Sequence, residues 1–352
     1  MGGGSELTLL QGDVLRGEWG GGGRGGDDFS AFCWSEIWLC QKKVVPLRHK
    51  KIYDMRKELL FAKGFLFMVV AVVVAGCGGQ TDKPQVGTIE RDTILGVPCV
   101  VYLPCGYAER AQKGEEKFPV LYLQHGMFGS ENDWTQQGLL LQKMDSLLQR
   151  DEVVEMVVVM PDNFLGSIPP AERRELMEAP DVTPEGEPFD TSEGSAHWRK
   201  LTYDQERGYE MSGYWVRHFE EFMTEVERRY RVSNEPAHRA IAGLSMGGFH
   251  TMHVSHYLHG RFGYIGLFSA LVVSPVENEV YSNWQEEVRA LMADEPLYWI
   301  GMGREDFLYD QLQTYRRWLE ENHLEYTYYE SAGGHTWPNW QDYICRFMKK
   351  IQ

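Results

Sequence analysis

The sequence has no excess of basic residues, no paired cysteine motif and no long membrane-spanning apolar run. Its 35 lysines and arginines are outnumbered by 51 aspartates and glutamates, which gives a formal net charge of -16 at pH 7. Because nucleic-acid binding depends largely on Lys and Arg that displace counterions from phosphates, this balance argues against nucleic acid as a partner. The length of 352 residues allows either one large α/β domain or two small ones.

Cysteines are few, and their spacing excludes two kinds of structural site. The chain has six, none of them in a Cys-x-x-Cys pair of the sort that marks structural zinc. Cys99 and Cys105 flank a predicted strand, which puts them about 20 Å apart and far beyond disulfide reach. The sequence therefore predicts no disulfide framework.

The apolar run from Gly64 to Gly76 is too short for a comfortable transmembrane helix, which needs about 20 residues. It has the length of a signal-peptide core, and Met55-Arg56-Lys57 supplies a start residue and a basic segment before it. The run ends in Val74-Ala75-Gly76-Cys77, which resembles the lipobox of bacterial lipoproteins. We therefore expect residues 55–76 to be a lipoprotein signal peptide, Cys77 to carry the lipid, and residues 1–54 to be a non-native or disordered extension.

This interpretation predicts an exported protein of the cell envelope with a lipid anchor to the membrane. Residues 77–85 are polar and contain Gly and Pro, as expected of a tether, and residues 86–352 would form the folded domain. The alternative is that residues 1–54 form a disordered cytoplasmic tail before a short membrane anchor.

Strand-like runs alternate with helical patterns from Val86 onwards. Several of the runs are apolar throughout, which is typical of strands buried on both faces of a parallel sheet. The clearest helical pattern extends from Gly213 to Arg231. The alternation predicts an α/β fold with a doubly wound, mostly parallel sheet. The predicted strands are Cys99 to Leu103, Pro119 to Leu123, Val153 to Met160, Arg239 to Leu244, Tyr264 to Phe268, Leu297 to Met302 and Tyr326 to Tyr329.

One stretch, from Phe164 to Leu201, interrupts this alternation and is rich in Pro, Glu and Asp. Loops of this length inside a compact domain are usually functional lids or disordered insertions. The sequence leaves open whether this stretch is a lid beside the active site or a surface loop.

A Gly-x-Ser-x-Gly element, Gly243-Leu244-Ser245-Met246-Gly247, follows an apolar strand-like run and precedes a helical one. This order of strand, sharp turn and helix is the context of a nucleophile elbow. Glycines suit the turn because side chains two positions either side of the serine would collide with neighbouring backbone. The sequence therefore predicts Ser245 as a catalytic nucleophile at a helix N-terminus, where the dipole favours negative charge.

A serine nucleophile needs a base within hydrogen-bond distance, and the base needs an acid that orients it. His335 follows an aromatic strand and a Gly-containing loop near the C-terminus, and is the predicted base. Asp306 follows another predicted strand, and the chain order Ser245, Asp306, His335 matches this type of fold. Glu305 is the main alternative acid, and Asp310 is a weaker one.

Ester chemistry also requires backbone N–H groups that stabilise the oxyanion. The N–H of Met246, directly after the nucleophile, is the first predicted donor. The second is that of Met127, in a Gly-containing loop after an early strand, with Phe128 as the alternative. His125 lies in the same loop, and we expect it to support the loop rather than act as the base.

The helical run after Ser245 carries a histidine every third residue, at His250, His253, His256 and His259. Neighbouring pairs share a helix face, so a metal site is conceivable. The stripe drifts around the helix, however, and no carboxylate or cysteine is placed to complete a coordination shell. The sequence predicts no metal.

With these residues the sequence resembles the esterase D superfamily, which includes feruloyl and acetylxylan esterases, enterochelin esterases, S-formylglutathione hydrolases and mycolyltransferases. The resemblance extends from about Cys99 to Met348, and Cys105 departs from it because the family commonly has Pro there. The motifs that carry it are Val101-Tyr102-Leu103-Pro104, His125-Gly126, Ser130-Glu131-Asn132-Asp133-Trp134, Gly243 to Gly248, Glu305-Asp306, Gly334-His335-Thr336-Trp337 and Trp340.

The resemblance implies a single-domain α/β-hydrolase fold with a triad of Ser245, Asp306 and His335 and no metal or organic cofactor. For an exported chain it favours the branch that removes feruloyl or acetyl groups from plant polysaccharide, so the expected partner is an acylated carbohydrate. The alternatives are an esterase for siderophores or other small esters, and a non-catalytic glycan-binding lipoprotein. Trp337 and Trp340 would either stack on a sugar or phenolic group or pack the histidine loop.

Overall fold

The computed structural model describes residues 86–114, 117–178, 182, 186–188, 205–272 and 284–352. The predicted extension, signal peptide, lipidated Cys77 and tether lie outside these residues, as does the last part of the predicted lid, residues 189–201. No helix in the described part of the chain is long and apolar enough to cross a membrane.

Eight of the described segments form a single sheet, in the order β1-β2-β4-β3-β5-β6-β7-β8. The pairings from β4 across to β8 are all parallel. The β1–β2 and β2–β4 pairings are antiparallel. This confirms the predicted α/β fold with a mostly parallel sheet. The strands are Thr88–Ile94 (β1), Val97–Leu103 (β2), Val120–Gln124 (β3), Val157–Pro161 (β4), Arg239–Leu244 (β5), Tyr264–Phe268 (β6), Leu297–Gly303 (β7) and Thr327–Ser331 (β8).

Two strand predictions need correction. β1 was not predicted because its sequence, TIERDTI, is polar: it is an edge strand whose first four residues are exposed. β4 begins at Val157 rather than Val153, because its pairing with β3 starts at Val157 and its pairing with β2 at Val158. The apolar residues just before it belong to the connection from the preceding helix.

Helices pack on both faces of the sheet, so the sheet is doubly wound as predicted. Along β2, Val101 packs into one core with the helix residue Phe219, whereas Tyr102 packs into the opposite core with Phe347. The helices are Tyr107–Lys113 (α1), Asp133–Gln136 (α2), Leu140–Leu148 (α3), Asn163–Gly166 (α4), Pro170–Glu178 (α5), Gln205–Arg229 (α6), Met246–Tyr257 (α7), Trp284–Ala293 (α8), Tyr309–Glu321 (α9) and Trp337–Met348 (α10).

The topology brings four loops to one edge of the sheet. β3, β5, β7 and β8 run parallel, so their carboxyl ends lie on the same side. The predicted oxyanion loop follows β3, Ser245 follows β5, Asp306 follows β7 and His335 follows β8. In open α/β sheets this edge is where ligands bind.

Candidate active site

Ser245 lies at a strained turn between β5 and α7. Its backbone has φ 53° and ψ -117°, a combination that a non-glycine residue adopts only where the surroundings impose it. The surroundings are tight: a Cβ atom on Gly247 would lie 2.4 Å from the carbonyl oxygen of His125. A Cβ on Gly243 would lie 2.4 Å from the Gly247 backbone. The turn thus has the geometry of a nucleophile elbow, and both glycines are sterically required.

His335 and Asp306 form a hydrogen-bonded pair. The His335 Nδ1 atom lies 3.0 Å from both carboxylate oxygens of Asp306, and the acid side chain is fully buried while that of His335 is 11% exposed. The N–H of Leu308 also donates to Asp306 Oδ1, at 3.0 Å. A carboxylate at Nδ1 fixes the tautomer and leaves Nε2 free to accept a proton.

The two alternative acids are not placed beside His335. Glu305 and Asp310 are both exposed, and no hydrogen bond joins either carboxylate to the imidazole among the described contacts. Of the three acids considered, Asp306 is the one that the structure brings to His335.

A polar brace, defined as Ser331, Thr336, Asn339 and Tyr343, holds the histidine loop. The Asn339 amide donates to Ser331 Oγ at 2.8 Å and to the Ala332 carbonyl at 2.7 Å, and it accepts from Thr336 Oγ1 at 2.9 Å. Tyr343 and Ser331 share a hydrogen bond of 2.6 Å. Sequence reasoning missed Asn339 because a single Asn in the first turn of a helix carries no recognisable pattern.

Aromatic rings surround the imidazole of His335. Trp340 meets it edge-on, with ring centroids 4.9 Å apart, and is only 7% exposed. Of the two predicted roles for Trp340, this burial favours packing of the histidine loop. Trp337 is half-buried and contacts the rings of Trp134 and Trp340. Phe307, which sequence reasoning did not single out, is 38% exposed and lies 4.5 Å from the imidazole.

The predicted oxyanion loop lies directly against Ser245. A Cβ on Gly126 would lie 3.4 Å from the Cβ of Ser245. The loop is a tight turn in which the N–H of Gly129 donates to the Gly126 carbonyl at 3.2 Å and Phe128 has φ 64°. Met127 packs into the same small apolar cluster as Met246. The two predicted oxyanion donors therefore belong to adjacent segments at the carboxyl edge.

His125 is buried behind this turn. Its backbone N–H donates to Asn163 Oδ1 at 2.9 Å, and its ring nitrogens lie 2.7 Å from the Gly126 carbonyl and 3.4 Å from Asp162 Oδ1. Its contacts with the turn agree with the predicted supporting role.

The four histidines after Ser245 differ in burial and in charge. Burial lowers the pKa of His250 and of His256 to about 3, and it also lowers the pKa of His253. These three rings are therefore neutral, whereas His259 is 53% exposed and lies 3.7 Å from Asp294. Among the described residues, no group of three or more His, Cys, Asp or Glu could hold a metal ion.

Several known proteins resemble this chain. One is an endo-1,4-beta-xylanase/feruloyl esterase of Xylanibacter ruminicola, 28% identical over 182 residues, which are 50% of this chain and 20% of that protein. The chain thus covers only a fifth of that relative.

Solved structures share the fold. A CE1 ferulic acid esterase from Anaeromyces mucronatus, in complex with ferulic acid, superposes with a TM-score of 0.55 at 19% identity, over 78% of this chain and 93% of that one. An S-formylglutathione hydrolase from Staphylococcus aureus superposes with a TM-score of 0.52 at 15% identity, over 78% and 99%. The Esterase family model matches residues 171–350, about half of the chain. The chain therefore belongs to the Esterase family.

Proposed function

We propose that this protein is a serine carboxylic-ester hydrolase in which Ser245, His335 and Asp306 form the catalytic triad. The observation that carries the proposal is the His335 to buried Asp306 hydrogen bond, at the same sheet edge as the strained Ser245 turn. Membership of the Esterase family supports the same reaction class.

In the proposed mechanism, Ser245 Oγ attacks the ester carbonyl while His335 Nε2 accepts its proton. The N–H groups of Met127 and Met246 stabilise the tetrahedral oxyanion. The intermediate collapses, and the alcohol leaves with the proton returned by His335. Water, activated by the same histidine, then attacks the acyl-enzyme and releases the acid and free Ser245. Asp306 stabilises the imidazolium that forms in both halves of the reaction.

For the substrate, we propose feruloyl or acetyl esters of plant polysaccharide or its fragments. The relative from Xylanibacter ruminicola is named as a xylanase and feruloyl esterase, which supports a phenolic acyl group on a plant polysaccharide. Phe307 is exposed beside His335 and offers an apolar surface for such a group.

Substitution of the triad tests the reaction class. We expect Ser245→Ala and His335→Ala each to remove nearly all ester hydrolysis, and the double variant to be little worse than either, because the two groups act as a unit. A fluorophosphonate probe should label wild-type Ser245 and fail on His335→Ala over the same time. Full activity in Ser245→Ala would refute the serine mechanism.

Rates on four esters test the substrate class: methyl ferulate, acetylated xylan, p-nitrophenyl acetate and a cyclic catecholate ester. We expect the highest kcat/KM on the feruloyl or xylan substrate. A clear preference for the catecholate ester would indicate a siderophore esterase instead. Loss of activity on all four, with intact fold, would indicate the glycan-binding alternative.

We also propose that the protein is an exported lipoprotein of the cell envelope, anchored through Cys77. The Met55-Arg56-Lys57 start and the Val74 to Cys77 ending support this. Expressed from Met55 in a bacterium, the protein should partition with membranes, and Cys77→Ser should release or misprocess it. Recovery of an unlipidated chain that begins at Met1 would contradict the proposal.

A further inference from the structure

His125 contacts a backbone carbonyl, which can only accept hydrogen bonds, and a side-chain carboxylate, which accepts them in its ionised form. Its Nδ1 atom lies 2.7 Å from the Gly126 carbonyl oxygen, and its Nε2 atom lies 3.4 Å from Asp162 Oδ1. A neutral imidazole has one N–H and can satisfy only one acceptor of this kind. An imidazolium donates to both, so the geometry favours the protonated ring.

The charges around His125 support the same protonation state. Asp162 faces the ring from the end of β4, Asp133 from α2 and His250 from α7. Burial on its own would lower the pKa of His125, but the hydrogen bond and the charge of Asp162, with a further contribution from Asp133, raise it above its usual value. His250 is neutral and accepts a hydrogen bond from Asn163 at 3.0 Å, so it adds no competing positive charge.

The carbonyl that His125 holds belongs to the peptide unit of the predicted oxyanion donor. The Gly126 carbonyl and the Met127 N–H share one planar trans peptide, in which they point in opposite directions. A fixed direction for the carbonyl therefore fixes the direction of the N–H. A cation hydrogen-bonded to the carbonyl also polarises the peptide and makes its N–H a stronger donor.

We propose that His125 is a positioning residue that works as a buried imidazolium: it clamps the Gly126 carbonyl and the Asp162 carboxylate, and so orients and polarises the Met127 N–H toward the substrate oxyanion. The inference deepens the proposed ester hydrolysis and rests on it. It adds a second histidine to the reaction, with a protonation state opposite to that of His335: His335 must start neutral, and His125 must stay charged.

This assignment predicts a dependence on alkaline pH. When the pH rises through the pKa of His125, the ring loses one of its two N–H groups and the clamp opens. Asp162→Asn removes the negative charge that holds the proton, so burial then lowers the pKa of His125. Asn also caps helices well, so the hydrogen bond from Leu165 N to residue 162, 2.9 Å long in wild type, has an acceptor in the variant.

The test combines kinetics with a direct measurement of the ring. In Asp162→Asn we expect kcat at neutral pH to fall about tenfold to hundredfold, because one oxyanion donor is worth up to about a thousandfold. The alkaline limb of kcat should move to lower pH, because the pKa of His125 falls when the charge of Asp162 is removed. His125→Asn, whose amide can replace the Nδ1–H donor, should recover part of the rate that His125→Ala loses, with no alkaline limb of its own.

A matched control is His253→Gln, since His253 is another buried histidine, whose ring packs against Phe249 and His256 on α7. It should leave the pH profile unchanged. Histidine nitrogen chemical shifts, with His125→Asn used for assignment, should show both ring nitrogens of His125 protonated at pH 7.

A neutral His125 at pH 7, or a wild-type alkaline limb in Asp162→Asn, would overturn the inference. The NMR measurement needs neither ester turnover nor a folded variant at position 162. If His125 is charged but the protein hydrolyses no ester, the proposed function is wrong. The assignment of His125 as an imidazolium that holds the Gly126 carbonyl and Asp162 would then remain valid.

Discussion

The elbow around Ser245 and the loop that carries His335 reach the same sheet edge by different physical means. The elbow is shaped by steric constraints. The backbone around Gly243 and Gly247 leaves no room for a Cβ at either position, and Ser245 between them has a strained conformation. The histidine loop is shaped by attraction, through Asn339 and its polar partners. Steric constraints leave a fixed pattern of glycines in the sequence, whereas hydrogen bonds between distant side chains leave almost none.

The largest expected effect comes from Asp306, the acid that we propose orients His335. Asp306→Asn should lower kcat by about 10⁴-fold with the fold intact, because the imidazole loses its tautomer and the partner of its charged form. Glu305→Gln is the matched control, since its exposed neighbouring carboxylate has no described contact with His335. Steady-state kinetics of both variants test the assignment of the acid. A large loss of kcat in Glu305→Gln instead would assign the role to Glu305.

The elbow should break under a single methyl group. In Gly247→Ala the new Cβ would meet the His125 and Gln124 carbonyl oxygens at 2.4 and 2.6 Å, both of them backbone atoms that cannot rotate away. We expect the free energy of unfolding to fall by about 1–3 kcal/mol or more, as in overpacked cores, with activity lost as well. Urea denaturation measures the effect. Gly186→Ala is the comparison: no atom of the described residues lies within 4 Å of a Cβ there, so it carries only the backbone strain of a φ of 89° and lacks the steric clash.

Removing the Asn339 side chain should make the histidine loop less stable without unfolding the protein. Asn339→Ala leaves Ser331 Oγ and the Ala332 carbonyl without their donor, at a cost of about 1–3 kcal/mol in stability. Because the loop positions His335, the proposed base, kcat should fall more than KM rises. Asn322→Ala removes an amide that donates to Trp318 at the end of α9, away from the triad, and should alter stability without this kinetic signature.

The last effect appears only as the pH falls below about 6.5, and concerns the helix that follows the elbow. The pKa of His256 is about 3 in the folded protein, below its value of about 6.5 in the unfolded chain. The neutral ring therefore contributes stability above pH 6.5, and this contribution is lost as the pH falls from 6.5 toward 3. In that range, His256→Gln should reduce the slope of the unfolding free energy against pH by the amount that corresponds to about one bound proton. The exposed His259→Gln should leave the slope unchanged, and equal slopes for both variants would contradict the burial argument.

The sequence was sufficient for the parts of the site that depend on backbone shape and chain order. Ser245 was predictable because its flanking glycines, strand and helix form one local pattern, and Asp306 and His335 follow strands in the expected order. Asn339 and Asp162 were not predictable, because a buried polar side chain is recognisable only when its partners are known, and the histidine beside Asp162 is 37 residues away in the chain.

The same limit applies to the fold. The apolar strands in the centre of the sheet were predictable from composition, and the polar edge strand β1 was not, because its pairing with β2 involves mostly exposed residues. For Trp340 the sequence left two roles open, stacking on a ligand or packing of the histidine loop, and its burial in the structure favours the second.

The strand order has a consequence for how the protein folds. β3 lies between β4 and β5, so Val120 pairs with Arg239 across more than a third of the chain. Contacts this distant in sequence form late in folding, because closing the long loop between them costs entropy, and such topologies fold slowly. The proposed oxyanion loop follows the first of these two strands in the chain, and the proposed triad follows the second. We therefore expect enzymatic activity to return only in the last refolding phase, after most helical signal has recovered.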